Sequence, residues 1–117
     1  MKYSDEAGDA TSLYQPNDLI ALRMGRLAAT RVNAESLSHF RDDLDRLHAR
    51  GGGPYVRLWS AAINTGPEAV RQLLVEPSQR GQVMRSLISF RAFVSKVERD
   101  VIFSEVAAAV TAAWKRV

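Results

Sequence analysis

The sequence predicts an all-α fold, a compact bundle of about six helices closed by a long, mostly apolar C-terminal one. Three observations predict it. Apolar residues recur at spacings of three and four along most of the chain. The interruptions fall at glycine or proline, as at Gly51-Gly52-Gly53-Pro54, Gly66-Pro67 and Pro77. No stretch alternates apolar and polar residues as a half-buried strand does, and no internal repeat is present.

Residues 1–16 mix Gly, Ser, Asp and Thr with little periodicity and close on Gln15-Pro16. They are expected to form a flexible acidic arm ahead of a single helical domain, 17–117. A first helix is expected from Asn17 or Asp18 to about Arg31, burying Leu19, Ile20, Met24, Leu27 and Ala28. A second, Asn33 to Arg50, has Asn33 as its cap and Leu37, Phe40, Leu44 and Leu47 on one face. Its other face carries Arg41, Asp42, Asp43, Asp45 and Arg46. The glycine run stops it, because glycine tolerates the left-handed conformation of helix ends.

From Pro54 the helices shorten. Tyr55, Leu58, Trp59, Ala62 and Ile63 share an apolar face, and Pro67 suits the first turn of a helix reaching about Val75 that offers Val70, Leu73 and Leu74. A further helix, Gln79 to about Phe90, is expected to bury Val83, Met84, Leu87 and Ile88, and Phe93 and Val94 lead into the last one.

That last helix, Ser95 to Val117, is the best marked. Ser95 followed by Glu98 is a capping-box pattern, and Lys115 and Arg116 suit the negative end of the helix dipole. Between Val101 and Trp114 only Ser104, Glu105 and Thr111 are polar. Apolar groups therefore cover most of the circumference, which calls for neighbours all round or for a second copy of the chain. Alanines at 107, 108, 109, 112 and 113 allow another backbone to come close.

Composition narrows the functional classes. A chain of 117 residues is one domain, long enough to bury a core without covalent staples. The absence of cysteine excludes disulfides, thiol catalysis and thiolate metal sites. The opening residues lack the basic and apolar blocks of a secretory signal, and no run reaches membrane-spanning length, so a soluble cytoplasmic protein is expected. Charge is uneven: Lys2 against Asp5, Glu6, Asp9 and Asp18 leaves residues 1–18 at −3, so the remainder of this +3 chain carries +6. Such a basic body suits a polyanion, although arginines scattered for solubility give the same excess.

Short helices between Tyr55 and Phe90 invite a helix-turn-helix comparison, with Gln79, Arg80, Gln82, Arg85, Arg91 and Lys96 as the nucleic-acid contacts. The spacing opposes it. With Gly66 as the turn glycine, Ala62 sits correctly but polar Gln72 occupies the buried β-branched position; a turn at 76–78 puts Arg71 or Gln72 at the small position.

Other chemistry is weaker. Glu35, His39, Asp42 and Asp43 share a helix face, yet one helix supplies too few directed ligands for a metal, and His48 lies on the opposite side. The Gly51–Pro54 run lacks the Gly-Lys-Ser/Thr ending of a phosphate loop, and no serine sits in a nucleophile motif. No catalysis, metal, cofactor or small-molecule substrate is expected. The expected function is that of a regulatory or adaptor protein acting through protein–protein contact as a homodimer, with Val106, Ala109, Val110, Ala113, Trp114 and Val117 as the seam. DNA or RNA binding through residues 79–96 is the alternative.

Overall fold

The computed structural model describes residues 15–115, all-helical apart from its turns. The expected arm, Gln15 and Pro16 excepted, lies outside the described residues, as do Arg116 and Val117. The helices are α1 (Pro16–Ala29), α2 (Leu37–Ala49), α3 (Pro54–Thr65), α4 (Pro67–Val75), α5 (Gln79–Ser86) and α6 (Lys96–Lys115). Helix α1 is the hub, packing on α4, α5 and α6, while α2 joins the body through α3.

Local chemistry sets most boundaries. Proline stands at the first turn of α1, α3 and α4, where its missing N–H leaves no bond unmade. Asn33 caps the turn leading into α2: its Oδ1 accepts from Ser36 N and its N–H donates to Ser36 Oγ, both at 2.9 Å. Gly66 joins α3 to α4 at φ 137°, a conformation a side chain would resist.

The core is built around Trp59, which is fully buried and donates from Nε1 to Met84 O at 2.8 Å. Phe40 stacks on Trp59 and, at 5.1 Å between centroids, on Phe93. Val70, Leu74 and Ala28 complete the centre.

Several expectations shift: α2 begins at Leu37 rather than Asn33, and in α1 Leu22 is buried while Leu19, Ile20, Met24 and Leu27 are half-buried. In α3, Tyr55 and Leu58 face outward and Val56 is buried in their place. Helix α5 stops at Ser86 rather than Phe90, and its buried residues are Gly81, Met84 and Arg85, with Val83 only half-buried. The burial of Gly81 and Arg85 follows from a tight junction with the end of α4. A Cβ on Gly81 would lie 2.0 Å from Glu76 O, and one on Gly25 of α1 would lie 2.2 Å from Leu74 O. Two glycines thus let α1 and α5 close on the α4 C-terminus, and Arg85 reaches the carbonyls exposed there.

Candidate functional site

Helix α6 is anchored as its sequence dictates. Glu98 N donates to Ser95 Oγ at 3.1 Å and Ser95 N donates to Glu98 Oε1 at 3.0 Å, a complete capping box. Arg31, just past the end of α1, adds paired bonds to both Glu98 oxygens at 2.7 and 2.5 Å and a bond to Phe93 O. Arg31 and the Ser95 amide together hold the Glu98 carboxyl down at about 2. Further along, Arg23 pairs with Glu105. Since 31 meets 98 and 23 meets 105, α1 and α6 run antiparallel.

One stripe of α6 is spent on this packing. Ile102 and Val106 are buried and Val110 and Ala113 are half-buried. The rest of the circumference is open: Asp100, Val101, Ser104, Ala107, Ala108, Thr111, Trp114 and Lys115 are all exposed. The four most exposed large apolar side chains among the described residues lie on this helix, Trp114 at 77%, Val97 at 72%, Val101 at 51% and Phe103 at 44%. Phe103 carries the Arg99 guanidinium 5.9 Å from its ring centroid.

The seam drawn from sequence therefore divides. Val106 is enclosed by its own chain and unavailable to a partner, Val110 and Ala113 are half-covered, Ala109 and Trp114 are exposed, and Val117 lies outside the described residues. The open surface sits half a turn around the helix from Val106, with Val97, Val101, Ser104 and Ala108 as members that sequence did not single out. A uniformly apolar helix gives no sign of which stripe its own body covers; the Arg31–Glu98 and Arg23–Glu105 pairs fix that, and they join residues far apart in sequence.

The basic candidates also separate. Arg85 is 1% exposed and serves the fold, so it is withdrawn as a nucleic-acid contact. Arg80 is exposed but chelates Glu76 at 3.0 and 2.6 Å, and with Ser78 it lowers the Glu76 carboxyl to about 2. Lys96 pairs with Asp100 at 3.0 Å. Gln79 and Arg91 are exposed and Gln82 is half-buried. Arg91 and Lys96 do converge, together with Arg99, on a cleft of about 380 Å³ floored by Met24, Phe90 and Val94.

The acidic face of α2 has a structural role at one position. Asp43 is buried, accepts from Ser89 N at 2.9 Å and pairs with Arg46, thereby pinning the segment after α5. His39 meets the Phe93 ring edge-on at 5.8 Å. Among the described residues no cluster of three or more metal-ligating side chains forms, and no helix is long and apolar enough to cross a membrane. No protein-family model, curated protein or solved structure matches this chain.

Proposed function

We propose that this is a regulatory or adaptor protein that acts by binding protein, and that the outer face of α6 is its docking surface, with a second copy of the chain as the first occupant. One observation carries this: the four most exposed large apolar side chains of the described residues project from one helix whose principal helical neighbour is α1. An exposed tryptophan and a run of alanines offer a partner a large apolar contact beside small residues that let its backbone approach. Size exclusion with light scattering at low salt tests it. A mass of twice 13.0 kDa supports self-association; a monomer at every concentration removes it.

Nucleic-acid binding is the second reading, favoured by the cleft where Arg91, Lys96 and Arg99 meet. Its test is affinity for duplex or single-stranded probes against salt. Binding that weakens as salt rises, with a slope lessened by Arg91→Ala, supports it, because each lost phosphate contact releases fewer counterions. Salt-independent or absent binding rules it out.

A further inference from the structure

We propose that the cleft lined by Arg91 and Arg99 holds one aromatic phosphate monoester, the chemistry of a single nucleotide, with the phosphate on the two guanidinium groups and the ring on the apolar floor. This rests on the nucleic-acid reading above and deepens it: the unit recognised is one unpaired nucleotide, free or within a strand, and not a duplex.

Three elements build the cleft. Helix α1 contributes Met24, the turn after α5 contributes Phe90, Arg91 and Val94, and the first turn of α6 contributes Lys96 and Arg99. The turn is braced by its own bonds. Ser89 N donates to buried Asp43 at 2.9 Å, Arg91 N donates to Ser89 Oγ at 3.2 Å, and Phe93 N and Val94 N both donate to Phe90 O at 2.9 Å. The start of α6 is held by the Ser95–Glu98 capping box and by Arg31. Both arginines are therefore carried on ordered backbone, which lowers the ordering cost of binding.

Charge selects the head of the ligand. The acids at this end are already matched: Glu98 by Arg31, Asp43 by Arg46 and Asp100 by Lys96. Lys96 is balanced by that pair and is not counted toward the ligand. Among the described residues neither Arg91 nor Arg99 pairs with a carboxylate. Two uncompensated guanidinium groups match a phosphate monoester, which carries about two negative charges at neutral pH and accepts the paired N–H bonds of arginine. A lone carboxylate leaves one of them unmatched.

The floor selects the body. Val94 is buried and Met24 and Phe90 are half-buried, so a thioether and an aromatic ring line the base of the cleft. Both make favourable contacts with a second aromatic ring. The volume of about 380 Å³ falls among small-molecule sites, on the order of 300–1,000 Å³. A duplex keeps its base faces stacked on one another, whereas an unpaired nucleotide offers its ring to this floor.

Methyl NMR of the full chain reads the cleft directly, since Met24 is one of three methionines. The probes are adenosine monophosphate, adenosine, inorganic phosphate, a short single strand of deoxyadenosine and a short duplex. The monophosphate should shift the Met24 and Val94 methyl signals saturably. Adenosine and inorganic phosphate should each bind at least about tenfold more weakly, and Arg91→Ala and Arg99→Ala should each weaken the monophosphate about tenfold, the loss of a charge-assisted contact. Both arginines are exposed, so the variants should keep the wild-type melting temperature, which separates lost binding from lost fold. A strand that gives the same shifts more tightly than the monophosphate places the nucleotide within a strand, and one that binds more weakly marks a free nucleotide; either supports the cleft. Adenosine bound as tightly as its monophosphate, or arginine variants that bind like the wild type, overturn the proposal. A strand or duplex that binds without moving Met24 and Val94 keeps the nucleic-acid reading and overturns this inference alone, whereas no binding by any probe overturns both.

Discussion

The Arg85 Nη1 donates to the carbonyl oxygen of Glu76 at 2.6 Å, and that contact, with a second to Leu74 O at 3.3 Å, closes the C-terminal end of α4 from inside the molecule. Carbonyls at a helix end lack intrahelical donors, and burying them without a partner costs free energy. A guanidinium supplies several donors on one planar group and so serves such an end well. Arg85→Met should therefore destabilise the fold by about 2–4 kcal/mol, since charge-assisted buried bonds are lost and the carbonyls remain desolvated. Urea unfolding measures it. A change within about 0.5 kcal/mol, the range of ordinary surface substitutions, would show that the contact is dispensable.

Gly25 and Gly81 give a prediction of sign. Helix propensity alone says that glycine to alanine in a helix gains up to about 1 kcal/mol. Here the added methyl would sit 2.2 Å from Leu74 O in one case and 2.0 Å from Glu76 O in the other, so backbone must move. Both Gly25→Ala and Gly81→Ala should destabilise the fold by about 1–3 kcal/mol of overpacking and so lower the melting temperature. A rise in either would mean that the junction is looser than these approaches require.

Acid stability follows from Glu98 and Glu76. Each carboxyl titrates near 2 in the folded protein against an ordinary 4.5, Glu98 through Arg31 and Ser95, Glu76 through Arg80 and Ser78. The unfolded chain therefore binds more protons in that interval. The stabilisation is complete above about pH 4.5 and is lost as pH falls towards about 2. Urea midpoints across this window should decline with falling pH, and the decline should be shallower in Glu98→Gln and in Glu76→Gln. Unchanged slopes in both variants would place the acid sensitivity at other groups.

Much of the fold was legible because its signals are local. Ser95 and Glu98 are three residues apart and form the capping box their spacing predicts. Leu37, Phe40 and Leu44 are buried as their periodicity requires, and Gly51 ends α2 as glycine runs do. What escaped depends on distant partners. Nothing near Arg85 in sequence announces the carbonyls of Leu74 and Glu76, and an arginine one position past Met84 looks like the start of a polar face. Gly25 looks like a weak point in α1 until α4 is laid against it. On α6, apolar residues all round conceal the buried stripe, so the sequence alone points to Val106 as part of the seam, whereas the chain itself covers it.

Trp114 and Val101 allow the outer face of α6 to be tested without disturbing the core, as both are exposed, at 77% and 51%. Val101→Asp should leave helicity and the melting temperature of the monomer almost unchanged, within about 0.5 kcal/mol. It should raise a dimer dissociation constant at least about tenfold by placing a desolvated charge in an apolar contact.

Sedimentation equilibrium of the wild-type chain over a wide concentration range, beside Val101→Asp, tests the central claim most directly. The account predicts a wild-type mass that rises from 13.0 kDa to twice that value with concentration, and a variant that remains at 13.0 kDa over the same range. A wild-type chain that is monomeric throughout, or a variant that dimerises as well as the wild type, contradicts the assignment of the outer α6 face as the docking surface.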